Sequence, residues 1–179
     1  AVRSLRWRCT IDFTATSQDG FMPKKNCMNC HDGSTAGPNV IDGPLPTNAA
    51  GQVECDLSKV TLTASTDSNS YDVGVLPTLS CTLKSLMTED CVIEAGSDLQ
   101  EFRVTSGDEL IWSSKDCQTG EVPASAILEP GIPLQGPSLI CDRTRSAVDT
   151  CDSVRDPVIA GGASYHLHVI VGELTSTNS

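Results

Sequence analysis

The stretch Leu110-Ile-Trp-Ser-Ser-Lys-Asp-Cys117 decides the fold of this chain. It is preceded by Cys91-Val-Ile-Glu-Ala-Gly96 and followed by Ile127-Leu-Glu-Pro-Gly131. Each segment is a short apolar run that ends at a cysteine, a glycine or a proline, which is typical of short strands joined by tight turns. The three segments together predict a β-rich domain that contains a disulfide bond.

The same pattern continues in both directions from this stretch. Turn signals such as Ser106-Gly-Asp108 and Pro130-Gly131 separate the apolar segments, and no long amphipathic helix lies between them. Short strands at this spacing indicate an antiparallel β-sandwich. Eight strands are predicted: 60–64, 79–83, Cys91–Glu94, 100–105, Glu109–Ser113, 124–128, 138–141 and 164–171.

Composition divides the chain into three parts. Residues 1–31 are basic and contain cysteines, and residues 1–30 carry a net charge of +3 against −14 for the remainder. Residues 32–54 are rich in glycine, proline and small residues, so we expect a linker or a long surface loop. Residues 55–179 hold the predicted sandwich, and residues 1–31 form an irregular, disulfide-containing N-terminal extension.

Charge and cysteine content limit the environment and the partners. The chain has 179 residues and a net charge of −11, which argues against nucleic acid or an anionic membrane as its partner. No apolar run is long enough to span a membrane. Nine cysteines favour an oxidising, extracytoplasmic location, either secreted or attached to the cell envelope. Because nine is odd, at least one thiol is free, pairs with another chain or holds a cofactor.

Five motifs follow one another in the C-terminal two-thirds of the chain: Tyr71-Asp-Val-Gly74, Glu89-Asp-Cys91, Ile111-Trp-Ser-Ser-Lys-Asp-Cys117, Leu128-Glu-Pro-Gly131 and Gly161-Gly-Ala-Ser-Tyr165. Through these motifs, residues 55–179 resemble the immunoglobulin-like extracytoplasmic domains of actinobacterial cell-envelope proteins. The resemblance implies an immunoglobulin-like fold and no assigned catalytic residues. Residues 1–50 match nothing in that family.

The resemblance also implies disulfide pairings. It pairs Cys91 with Cys117, and it places Cys55 and Cys151 where a second bridge would form. Two further cysteines depart from the family pattern, since Cys81 lies in a strand that is purely apolar in that family and Cys141 replaces an aromatic residue. Both have apolar neighbours, so they could form a bridge through the core or remain as two buried thiols.

The N-terminal segment contains one motif with a known chemistry, Cys27-Met-Asn-Cys30-His31. Two thiols and an adjacent imidazole at this spacing form the attachment signature of c-type haem. Few apolar residues surround the motif to enclose a porphyrin. A disulfide between Cys27 and Cys30 is the simpler alternative, and zinc would require a fourth ligand such as Cys9. Candidate axial ligands for a haem are Met22, Met28, His166 and His168.

The remaining candidate sites have ordinary structural explanations. His166 and His168 fall on one face of a strand, which suits either a solvent face or half of a metal site. Asp67, Asn69 and Asp72 suit a turn better than a calcium loop, and we expect Trp112 in the core. No catalytic motif is present, so the sequence does not predict an enzyme.

Two functional hypotheses follow. The first is a non-enzymatic extracytoplasmic structural or interaction module of a cell-surface protein or assembly. The second is a small electron-transfer protein with one haem at Cys27, Cys30 and His31. Residues 174–179 look polar and trailing, so the sandwich is expected to lack its closing strand. The uncovered edge would then take the N-terminal segment or a strand from another protein chain.

Overall fold

A computed structural model describes residues 45–159 and 162–177, and these residues form nine strands and one short 3-10 helix over Leu57–Lys59. No α-helix occurs in this part of the chain, and the all-β prediction is confirmed. Cys27, Cys30 and His31 lie outside the described residues, as does Cys9. The strands are β1 Val60–Thr66, β2 Thr78–Ser85, β3 Cys91–Glu94, β4 Gln100–Ser106, β5 Glu109–Ser113, β6 Ser125–Leu128, β7 Pro133–Ile140, β8 His166–Val171 and β9 Leu174–Thr175.

The strands form three antiparallel sheets. In the first sheet β2 lies between β1 and β7, and in the second β3 pairs with β6. The third sheet has the order β5, β4, β8, β9. Alternate residues of β1 and β2 are buried, as the period of two in the sequence predicts. One core cluster contains residues from all three sheets.

The motif around Trp112 places its ring in the shared core and uses its polar residues to hold the third sheet. Trp112 is only 3 % exposed. The hydroxyl of Ser114 accepts a hydrogen bond from the backbone N–H of Phe102 at 3.0 Å. The ammonium group of Lys115 donates to the carbonyls of Ser97 and Asp98, at 3.0 and 2.7 Å. The segment after β5 is therefore fixed to the start of β4.

The limits of β7 differ from the prediction. β7 begins at Pro133, five residues before the predicted start, because an edge strand tolerates Pro133 and Pro137 where a central strand would lose ladder hydrogen bonds. The described part of the predicted linker, residues 45–54, makes an antiparallel bridge between Thr47 and Val53 and docks on Val92.

The prediction that β8 lacks a neighbour on one side is wrong. β8 pairs with β4 on one side and with β9 on the other. β9 lies within the segment that was expected to trail, and after it Thr177 makes a parallel bridge with Thr63 of β1. A two-residue strand is too short to leave an alternating pattern in the sequence.

Two disulfides connect the strands, and their pairing differs from the prediction. Cys55 is bonded to Cys91, and Cys117 is bonded to Cys151. The four predicted cysteines are therefore correct, but the pairings Cys91 with Cys117 and Cys55 with Cys151 are wrong. Cys91 begins β3, where residues 53–55 dock, whereas Cys117 follows β5 and faces the loop around Cys151.

We predict that peptide mapping without reduction will find Cys55 linked to Cys91 and Cys117 linked to Cys151. Mild reduction should then open the Cys117 bridge first, because both of its cysteines are exposed whereas Cys91 is 2 % exposed. Each bridge closes a loop of about 35 residues and contributes about 4 kcal/mol in the chain-entropy model. A fragment that links Cys91 to Cys117 would contradict this connectivity.

Candidate functional site

A cleft of about 600 Å³ lies beside the end of β1 and the start of β8. This volume lies within the range of pockets that bind small ligands or short segments. Its lining comes from the end of β1, the β1–β2 loop, the β4–β5 pair, the β7–β8 connection and the start of β8. The residues are Ala64, Ser65, Thr66, Ser68, Asn69, Ser70, Tyr71, Pro77, Leu79, Val104, Ile111, Trp112, Cys141, Arg143, Thr144, Val158, Ile159, Gly162, Ala163, Ser164, Tyr165, His166 and Leu167.

The position of the cleft follows from the C-terminal segment. β9 and the residue after it run between β8 and β1, where the backbone N–H of Ser176 donates to Val169 at 2.8 Å. The N–H of Thr177 then donates to the carbonyl of Leu62 in β1 at 3.1 Å. This segment covers the gap at one end of the two strands, and the cleft lies toward the other end, near Thr66 and Tyr165.

The deep part of the cleft belongs to the hydrophobic core. Leu79 and Trp112 are each 3 % exposed, and Leu167 packs against the same cluster. The prediction that Trp112 is a core residue is confirmed. An apolar floor of this kind favours a ligand that can place apolar groups against it, since burying an apolar side chain releases about 25 cal/mol per Å².

Tyr71 stands at one wall of the cleft, and its hydroxyl group is held from two sides. It donates to the carboxylate of Asp67 at 2.6 Å and accepts from the backbone N–H of Ser68 at 2.9 Å. The Asp67 carboxylate also accepts from the N–H of Thr78 at 2.8 Å. These two hydrogen bonds lower the pKa of Asp67 below its ordinary value of 3.8, and the bond from Tyr71 has the larger effect. Partial burial and the bond to Asp67 raise the pKa of Tyr71.

Tyr165 also lines the cleft, next to the exposed side chain of His166. Its hydroxyl donates to the carbonyl of Ile159 at 2.8 Å. Tyr71 and Tyr165 are the only tyrosines in the chain, and both have their hydroxyl groups engaged within the molecule. The cleft therefore has two tyrosine rings in fixed positions, which a ligand can contact without ordering them first.

Arg143 holds the β7–β8 connection against the β1–β2 loop. Its backbone has a positive φ of 57°. Its guanidinium group donates to the carbonyls of Asp72 and Val75, at 2.7 and 3.1 Å. In addition, its own carbonyl accepts from the N–H of Val158 at 2.8 Å. A left-handed arginine with three such bonds fixes the two loops relative to each other.

The disulfide between Cys117 and Cys151 fixes the outer part of the same connection. Beside it, the Ser146 hydroxyl accepts from the backbone N–H of Ser113 at 2.9 Å. Further along the connection, Arg155 forms an ion pair with Asp142. The described part of the β7–β8 connection contains no strand, yet covalent and polar contacts hold it as a wall of the cleft.

The cleft differs from the whole chain in charge. None of its described lining residues is a carboxylate or a lysine, whereas the chain has 23 acidic residues and a net charge of −11. The lining contains hydroxyl groups, one amide, Arg143 and the imidazole of His166. Hydroxyl groups both donate and accept, so this surface suits a neutral polar backbone above an apolar floor.

Cys81 and Cys141 do not form the bridge that was considered from the sequence, since both are buried thiols. Burial raises the pKa of Cys81 to about 11, so its reactive thiolate is scarce near neutral pH. A side chain at Gly136 would come within 2.5 Å of the Cys81 sulfur. Cys81 therefore acts as a small core residue beside this glycine, at the register shift between β2 and β7.

The other predicted site residues do not converge. His166 and His168 alternate along β8 with Leu167 between them, and only His166 lines the cleft. No group of three or more His, Cys, Asp or Glu side chains suited to a metal occurs within residues 45–159 and 162–177. Asp67 supports the turn after β1, whereas Asn69 lines the cleft.

The sequence pattern does not predict Tyr71, Tyr165 and Arg143 as residues of the cleft. Tyr71 and Tyr165 stand in two of the motifs quoted for the resemblance. Their separation in the sequence does not predict that they line one cleft, because Tyr71 lies in the β1–β2 loop and Tyr165 lies just before β8 of the third sheet. Their rarity was the one available signal. Two tyrosines in 179 residues are few enough that their meeting in one cleft is informative.

We predict that Asp67 titrates below its ordinary pKa of 3.8 and that Tyr71 reports the titration. Because the folded-state pKa is lowered, the bonds that hold Tyr71 are complete above pH 3.8 and are lost as the pH falls through the lowered value. Carbon-13 NMR of the Asp67 carboxylate and the Tyr71 ring would follow this. Asp67→Asn is the control, since its Tyr71 signals should not titrate in this range. A midpoint at or above 3.8 would contradict the geometry.

No helix in the described part of the chain is long and apolar enough to cross a membrane. The two disulfides indicate an oxidising environment. Comparison of the chain with protein-family models, with curated proteins and with solved structures finds no match.

Proposed function

We propose that this chain is a non-enzymatic extracytoplasmic interaction module of a cell-surface protein or assembly, built on an immunoglobulin-like β-sandwich. The observation that carries the proposal is the cleft between the ends of β1 and β8. A partner protein docks there, on the floor of Leu79, Trp112 and Leu167. Its walls are held by Arg143 and by the disulfide between Cys117 and Cys151.

The chemistry of the lining supports binding rather than catalysis. Proton transfer and nucleophilic attack need a base or nucleophile that faces the substrate. The described lining residues include no carboxylate, and the thiol among them, Cys141, is buried. The tyrosine hydroxyl groups already donate to Asp67 and Ile159. The exposed imidazole of His166 is the one base in the described lining, and within residues 45–159 and 162–177 no carboxylate or hydroxyl group is hydrogen-bonded to it to orient it for proton transfer. The rest of the described lining is a surface of hydroxyl, aromatic and apolar groups with Arg143.

The two disulfides support the proposed extracytoplasmic location. Disulfides persist in secreted and envelope proteins, and both bridges tie together segments far apart in sequence, with separations of 36 and 34 residues. The acidic exterior supports solubility. The order of strands in the three sheets, together with one shared core, supports the immunoglobulin-like sandwich.

The second candidate function is electron transfer by a covalent haem, and the motif Cys27-Met-Asn-Cys30-His31 favours it. A visible absorption spectrum and the intact mass of protein from a haem-competent host distinguish the two. A Soret band with a haem-sized mass increment supports the second candidate. Their absence removes it and leaves the interaction module.

The docking proposal predicts where a partner can be cross-linked on the native cell surface. A photoreactive benzoylphenylalanine at Thr66, on the rim of the cleft, should give one discrete adduct with a second protein. The same group at Thr61, which is exposed on β1 but outside the cleft, should give none. Excess unlabelled protein should suppress the adduct, and the Thr66→Trp protein, whose cleft is filled, should not. Equal cross-linking from both positions, or none from Thr66, would contradict the proposal.

A further inference from the structure

β8 has an outer edge that the described residues cover only in part. Phe102 and Val169 lie opposite each other in the ladder of β4 and β8. The backbone N–H and C=O of Phe102 are hydrogen-bonded to Ser114, and those of Val169 are hydrogen-bonded to Ser176. In each residue these backbone groups therefore point away from the opposite strand of the pair. Backbone N–H and C=O groups alternate in direction along an antiparallel strand, so those of Leu167 point to the same outer side as those of Val169.

The covered part of this edge ends at Val169. Its N–H donates to the Ser176 hydroxyl at 2.9 Å, and its carbonyl accepts from the Ser176 N–H at 2.8 Å. Within residues 45–159 and 162–177, no group is hydrogen-bonded to the outward N–H or C=O of Leu167. These outward groups face the cleft, since Tyr165, His166 and Leu167 all line it. An uncovered edge of this kind is a template for another strand.

The side chains of the cleft suit such a strand. A strand presents alternate side chains to opposite faces. A strand beside β8 would therefore place every second side chain over Leu79 and Trp112 and the others toward solvent. The floor of the cleft is apolar, so the inward positions must be apolar.

The net charge of the chain predicts which residues flank the apolar part of the bound segment. The cleft has no described carboxylate, but residues 31–179 carry a net charge of −14. A segment bound in the cleft lies in the field of this net negative charge at both of its ends. Basic residues on both sides of the apolar core of the segment would be attracted, and acidic residues would be repelled.

We propose that the occupant of the cleft is an extended segment of a partner protein that adds as a strand to the outer edge of β8 at Leu167. The segment has apolar residues at every second position and basic residues on both flanks. It continues along β8 from the point where β9 and Ser176 cease to cover the edge. The inference rests on the proposed function, because it names the partner segment for the same cleft.

The test begins with random nonapeptides displayed on phage. They are selected on the disulfide-intact protein and counter-selected on the Thr66→Trp variant, with Thr61→Trp as the control that leaves the cleft open. We expect a consensus of alternating apolar residues with Lys or Arg at the ends. No enrichment over the counter-selection, or a consensus without alternation, would overturn the proposal.

Strand addition itself is tested with the selected peptide and its N-methylated form. The two peptides share side chains and charge, but the second cannot donate to Leu167. Binding of the first should slow amide hydrogen exchange at Leu167 by about tenfold, the effect of one backbone hydrogen bond. Exchange at Val169 should not change, because Ser176 already holds its N–H. Equal affinity for both peptides would show that apolar or charge contacts alone hold the peptide.

The two proposals can fail separately. A cross-link from Thr66 with no peptide consensus leaves the interaction module standing and rejects strand addition. A dimer in sedimentation that the Thr66→Trp variant abolishes would make a second copy of this chain the occupant and would overturn the basic-peptide assignment.

Discussion

The structure depends on one pair of buried residues, Phe102 in β4 and Val169 in β8. They face each other across the ladder, and their exposed fractions are 2 % and 0 %. At such a position the two side chains lie close together while the two backbones point outward. Ser114 satisfies the backbone of Phe102, and Ser176 satisfies that of Val169. The pair thus joins the Trp112 segment on one side to the C-terminal segment on the other.

This arrangement explains why one end of the space between β1 and β8 is covered while the cleft lies at the other end. Ser176 must lie beside Val169 to bond with it, so the chain next reaches β1 at Thr177 and closes the gap between the sheets there. Farther along β8, at Leu167, no residue of the described ranges 45–159 and 162–177 makes such a contact. The walls around this opening are fixed by Arg143 and by the disulfide between Cys117 and Cys151. The position of the cleft therefore follows from the hydrogen bonds of Phe102 with Ser114 and of Val169 with Ser176.

The strands that the sequence predicts best are those with clear boundaries and local pattern. β3 and β5 have the predicted limits, Cys91–Glu94 and Glu109–Ser113, because apolar runs end there at turn residues. β7 was predicted too short, since Pro133 is compatible with a strand only at an edge, and edge position is a tertiary property. β9 was missed because it depends on Ser176 and Val169 rather than on its own two residues.

The site was less predictable than the fold. Four cysteines were correctly assigned to disulfides, but their partners were exchanged, because strand ends that are near in sequence need not be near in space. Tyr71 and Arg143 were not singled out as site residues, since their roles depend on hydrogen bonds to Asp67 and to the carbonyls of Asp72 and Val75. Cys141 was correctly expected to have apolar surroundings, yet it lines the cleft.

Amide hydrogen exchange of the protein without any partner tests the central claim most directly. If the Phe102 and Val169 pair organises the edges of the sheet, the amides of both residues should exchange slowly, near the rate of global unfolding. The Leu167 amide, two residues from Val169 on the same side of β8, should exchange much faster. Equal protection of Leu167 and Val169 would mean that the outer edge of β8 is already covered, and it would contradict the account.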